Sequence, residues 1–144
     1  MKKLLWYTSI FLFAGVIYSC SKGRSSNITP TETSLMGSYN LSAETGKPES
    51  GVQFNALDSL VACERDDELR LNANLTYDYI DTGIVCSPSG NYSGTWDLPN
   101  SNTLVLDHFS QYTIKSFNNK TLVLVYVDLY SSPTITYTLT LVKE

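Results

Sequence analysis

The sequence predicts an all-β fold, an eight-stranded antiparallel up-and-down barrel with one short helix, and three observations predict it. Residues 134–141 read TITYTLTL, so that Ile135, Tyr137, Leu139 and Leu141 alternate with four threonines. That period of two, in β-branched and aromatic residues, marks a half-buried strand. Turn signals then punctuate the second half at short intervals: Pro99-Asn100-Ser101-Asn102, Asp107-His108, Asn118-Asn119-Lys120 and Ser131-Ser132-Pro133. Connections this short join antiparallel neighbours. Finally, about eight such strands must dispose of their edges, which only closure removes completely. A seven- or eight-stranded sandwich is the alternative.

Residues 1–19 read as a leader. Lys2 and Lys3 form a basic start, and an apolar stretch through Trp6, Phe11, Leu12, Phe13 and Ile17 follows. A spanning helix needs ~20 apolar residues, whereas Thr8 and Ser9 interrupt this one and Ser19 ends it, so a cleaved signal is expected. Ile17 three before Cys20 and Ser19 one before it fit a lipoprotein signal, in which the Cys20 sulfur takes the lipid. Two or more acyl chains hold a protein stably on a membrane. Residues 20–34 are then the lipidated cysteine and a flexible tether, since half of residues 21–34 are Ser or Thr.

Residues 35–144 form one domain of ordinary size. It holds six Lys or Arg against thirteen Asp or Glu, within a chain of net charge −4. That balance excludes nucleic acid and peripheral docking on anionic lipid. The expected strands are 36–43, 68–71, 76–80, 91–98, 103–106, 111–117, 121–129 and 134–141. Thr45-Gly46-Lys47-Pro48 reads as a loop. Asn55 is placed to cap a short helix over 55–62 with Leu57, Leu60 and Val61 on its buried side.

With Cys20 assigned to lipid, Cys63 and Cys86 remain. In an oxidising compartment a disulfide is expected; free thiols or a metal site compete, although two cysteines and the single His108 fall short of four zinc ligands.

The ordered set Leu35-x-Gly37-x-Tyr39-x-Leu41, Cys63-x-x-Asp66-Asp67, Cys86 and Gly94-x-Trp96-x-Leu98 resembles the small lipocalin-like domains of Bacteroidota lipoproteins. The resemblance implies a calycin-type barrel of eight strands and a disulfide between the two cysteines, and it supplies no biochemical activity. Lipocalins proper carry Gly-x-Trp at the barrel base under an arginine of a late strand. Here Tyr39 stands at that position and the last strand has no arginine.

Eight tyrosines lie in the domain, and Tyr39, Tyr77, Tyr79, Tyr112, Tyr126 and Tyr137 join Trp96 as candidates to line a ligand cavity. Aromatic walls with hydroxyls suit an amphipathic ligand, while a barrel of eight strands is only just wide enough for its own side chains. Glu64, Asp66, Asp67 and Glu68 lack the spacing and glycine of a calcium loop and read as a solvated turn paired locally with Arg65 and Arg70. His108 reads as an exposed turn residue; no nucleophile elbow or paired-carboxylate motif accompanies it, and neither catalysis, a metal nor a cofactor is expected. Asp58-Ser59-Leu60 is similar to the O-glycosylation signal of exported Bacteroidota proteins, with Ser59 as acceptor.

The expectation is a non-enzymatic lipoprotein, lipid-anchored on the periplasmic face of the outer membrane. It would bind a small apolar or amphipathic molecule, or a peptide. The alternative is an interaction protein whose filled barrel docks on an envelope partner.

Overall fold

The computed structural model describes residues 26–144; the leader and Cys20 lie outside the described residues. The strands are β1 (Gly37–Pro48), β2 (Phe54–Asn55), β3 (Glu68–Leu71), β4 (Thr76–Ile80), β5 (Tyr92–Asn100), β6 (Thr103–Leu106), β7 (Ser110–Phe117), β8 (Thr121–Asp128) and β9 (Ile135–Lys143). Each neighbour is antiparallel, and β1 pairs with β3 on one side and β9 on the other. Eight strands therefore close a barrel, and the two-residue β2 is an addition to the upper part of β1.

Alternation places one face of every strand inside. On β8 and β9, Leu122 opposes Leu141, Leu124 opposes Leu139 and Tyr126 opposes Tyr137. Strand β1 departs from strict alternation: a bulge between Leu41 and Ala43 shifts its register against β9. Tyr39 lies inward below it, and Glu44 and Gly46 are buried above it. The segment 45–48, expected as a loop, is instead strand, and the physical reason is its ladder with β9, where Thr45, Gly46, Lys47 and Pro48 lie opposite Thr138, Tyr137, Thr136 and Ile135. The Phe54 ring of β2 lies where a Gly46 side chain would stand, within 2.9 Å of that Cβ position.

The base is densely packed. Leu35, Tyr39, Leu71, Tyr77, Trp96, Leu104, Phe117 and Leu122 are each no more than 2% exposed. The Trp96 indole donates to Asn72 O at 3.1 Å and the Tyr39 hydroxyl to Leu35 O at 2.6 Å, so both buried polar groups are satisfied. Lys143 of β9 sits 5.6 Å from the Tyr39 ring centroid and donates to Ser34 O at 2.9 Å. A last-strand lysine over a tyrosine thus occupies the place that the resemblance gives to arginine over tryptophan.

The expected tether ends sooner than residue 34. Ile28 N donates to Phe117 O at 2.8 Å, Pro30 is buried, and a one-turn helix α1 (Glu32–Leu35) begins at the Thr31 cap. Reciprocal Thr31 and Ser34 hydrogen bonds form a capping box. The segment packs because Leu35 and Ile28 cover the open bottom of the barrel, a use that Ser/Thr-rich composition conceals.

The excursion between β1 and β3 also differs from expectation. In place of a helix over 55–62 there are two 3₁₀ turns, Leu57–Ser59 and Ala62–Glu64. Asn55 is the end of β2, and Ala56 stands at the N-cap without a side-chain bond. Ala56 is buried with its N–H on Glu44 O at 2.9 Å, whereas Val61 is 56% exposed.

Candidate ligand-binding cavity

Hairpin order places the loops 49–67, 81–91, 107–109 and 129–134 at the end of the barrel opposite the packed base. Cys63 and Cys86 form a disulfide between the first two, with their Cα atoms 5.2 Å apart. Carboxylates finish what the disulfide begins. Asp81 accepts from Cys86 N at 3.0 Å and Gly90 N at 3.0 Å; Asp66 accepts from Ile84 N at 2.9 Å, and Thr82 Oγ1 bonds Asp66 O. Hydrogen bonds from Gly90 and Cys86 hold the Asp81 carboxyl below the usual carboxylate range. The second half of the acidic run is therefore not a solvated turn: Asp67 and Glu68 are buried and Asp66 half-buried, while Glu64 is exposed. Arg70 pairs with Glu68 at 2.7 Å as expected, but Arg65 donates to the carbonyls of Leu60 and Asp58 instead of to an acid.

Beneath this braced excursion lies a cavity of about 210 Å³. Tyr39, Leu41 and Leu69 contribute to it from the lower barrel, Leu106, Leu124, Leu139 and Leu141 from the walls, and Tyr79, Tyr92 and Tyr112 from the upper wall. Leu60 and Glu64 reach it from the excursion, and Glu44 and Asp67 complete the lining. The lining is mostly apolar, and the phenols and carboxyls are the few polar groups available to orient a ligand.

Of the aromatic candidates, the structure brings Tyr39, Tyr79 and Tyr112 to the cavity. Tyr77 and Trp96 lie in the packed core. Tyr77 donates to Asp107 Oδ2 at 2.6 Å, and Gly94 is required beside it because a side chain there would meet Tyr77 Cε1 at 2.7 Å and the Asp107 carboxylate. Tyr126 and Tyr137 stack on each other with centroids 5.0 Å apart, flanked edge-on by Tyr112 and Phe54. They fill space beside the cavity rather than line it. Tyr92 was not among the candidates yet lines the cavity, stacked on Tyr79 at 5.1 Å.

Glu44 and Asp67 were also missed. Burial pushes the Glu44 carboxyl up from its ordinary value. Burial likewise raises Asp67, the charges of Asp81 and Asp66 add to the rise, and the Tyr79 hydroxyl partly offsets it. Asp67 Oδ1 is buried without a hydrogen-bond partner. His108 is exposed in a left-handed turn, 3.5 Å from Thr95 Oγ1. Ser59 is exposed at the end of its 3₁₀ turn.

A family model described as "Lipocalin-like domain" matches residues 35–124. Among solved structures, a complex of bovine odorant binding protein with a selenium-containing odorant is similar to this chain at 14% identity. The match covers 83% of this chain and 76% of that one, with a TM-score of 0.47. No curated protein matches the sequence.

Proposed function

Because the chain belongs to the lipocalin-like domain family, we propose that it is a non-enzymatic binding protein. Its barrel holds a small apolar or amphipathic molecule, and lipid at Cys20 fixes it to the cell envelope. The observation that carries ligand binding is the cavity above a satisfied, fully packed base. Its volume of about 210 Å³ exceeds the ~150 Å³ that admits benzene in an engineered apolar cavity and lies below the ~300 Å³ where drug-sized pockets begin. The occupant is a molecule with roughly benzene's bulk and a short extension, or one end of a longer chain. The basic-then-apolar leader ending at Ser19-Cys20 supports the lipid anchor, and the absence of acidic residues directly after Cys20 supports the periplasmic face of the outer membrane.

Native mass spectrometry of the protein taken from its own envelope, together with titration by the neutral fluorophore N-phenyl-1-naphthylamine, tests the binding reading. Added mass or saturable fluorescence is expected; a bare protein mass with no fluorescence gain would reject it. A second reading, docking on an envelope partner, has one observation in its favour. The loops of the open end expose Val52, Ile84, Val85, Phe109, Leu129 and Tyr130, an apolar rim of the kind found at interaction sites.

A further inference from the structure

Building on the binding reading above, we propose that the cavity selects a ligand bearing a protonated amine on a small apolar body, received by the buried carboxylates Glu44 and Asp67. Three observations lead there. Glu44 is 9% and Asp67 7% exposed, and both line a cavity whose other walls are mainly leucine and tyrosine. Asp67 Oδ1 has no hydrogen-bond partner, and the Glu44 carboxylate accepts no hydrogen bond among the described residues. Asp67 has the Tyr79 hydroxyl and the Thr82 backbone as partners, yet a buried carboxylate with one oxygen unpaired is costly, and an opposite charge within the same site offsets that cost.

The second observation is the whereabouts of the cations. Among the described residues, no Lys, Arg or His lines the cavity. Arg70 is held by Glu68 and Ser38, Arg65 by the carbonyls of Leu60 and Asp58, and Lys143 by Ser34 O at the base. When Glu44 and Asp67 are ionised, no cation among the described residues of the cavity balances them, so a bound ammonium would supply the counter-charge the lining lacks. The third is aromatic: Tyr79, Tyr92 and Tyr112 line the same space, and aromatic faces attract ammonium groups. An anionic ligand meets three lining carboxyls, Glu44, Glu64 and Asp67, and is repelled. A purely apolar ligand fills the volume and leaves the carboxylates further from water than before.

Three probes of one shape separate these cases: phenethylamine, 2-phenylethanol and phenylacetate, titrated calorimetrically into the full-length protein at pH 7.5. The amine is expected to bind at least tenfold tighter than the alcohol, the scale of one hydrogen bond to a charged group, and phenylacetate weakest. The preference should fall in Glu44→Gln and in Asp67→Asn, which keep side-chain shape and remove charge; N-phenyl-1-naphthylamine binding by each variant reports an intact cavity. Equal affinity for amine and alcohol, or a preference untouched by both substitutions, overturns the inference while leaving the binding reading in place. Failure of all three probes and of N-phenyl-1-naphthylamine overturns both.

Discussion

Reducing the Cys63–Cys86 disulfide should lower the stability of the barrel without changing its native form. The bond closes a loop with a sequence separation of 23. In the chain-entropy model a loop of that length removes about 11 cal/mol/K from the unfolded ensemble, or roughly 3 kcal/mol at 25 °C. The native state loses little, because Asp66 keeps the two bridged loops tied through Ile84 N and Thr82 Oγ1, while Asp81 braces the second loop internally through Cys86 N and Gly90 N. Urea unfolding followed by Trp96 fluorescence, oxidised against Cys63→Ser/Cys86→Ser, measures the effect. With a slope of about 1.5 kcal/mol/M, the midpoint should fall by about 2 M and the slope should rise, because the open chain exposes more surface. In heat the same loss is about 12 °C of Tm. A midpoint that moves by less than about 0.3 M would refute the reasoning, and so would an unchanged slope with a disordered native state.

Glu44→Gln should raise Tm at pH 7. The folded carboxyl titrates above its unfolded value because of burial, so its contribution is most favourable at low pH and is lost as pH rises through the folded pKa. The gain over the parent should therefore vanish below about pH 4, a comparison that differential scanning calorimetry makes directly; Glu44 faces Tyr112 and Tyr126, which stay neutral throughout that range. Gly94→Ala should destabilise by about 1–3 kcal/mol, since its Cβ meets Tyr77 and the Asp107 carboxylate. An unaltered thermal midpoint would show that β5 and the β6–β7 turn move apart freely.

The strands were legible because each carries its own period and its own turn. The expected 103–106 and 76–80 coincide with β6 and β4, and 134–141 differs from β9 by one or two residues at its ends. What local pattern could not show was set by distant contacts. The extension of β1 through Pro48 depends on its ladder with β9, a strand remote in the sequence. The bulge between Leu41 and Ala43 carries no residue signature, yet it places Glu44 on the inner face. Likewise Asp66 and Asp67 look solvated beside Arg65 until the loop 81–91 brings Ile84 N to the Asp66 carboxylate and the Thr82 hydroxyl to the Asp66 carbonyl. The aromatic face was therefore readable as a class, while the carboxyls that distinguish this cavity were not.

The N-terminal approach fixes a polarity. Ile28 is bonded to Phe117 and α1 closes the base, so the chain enters the barrel at the end remote from the cavity mouth. For an anchor at Cys20, some seven residues precede Asn27, a reach of about 25 Å. Under the proposed anchor, a reach of that length would favour the blunt end toward the bilayer and the mouth outward. Traffic through the mouth would then be with the aqueous space, and a ligand drawn from the anchoring membrane would first have to leave it.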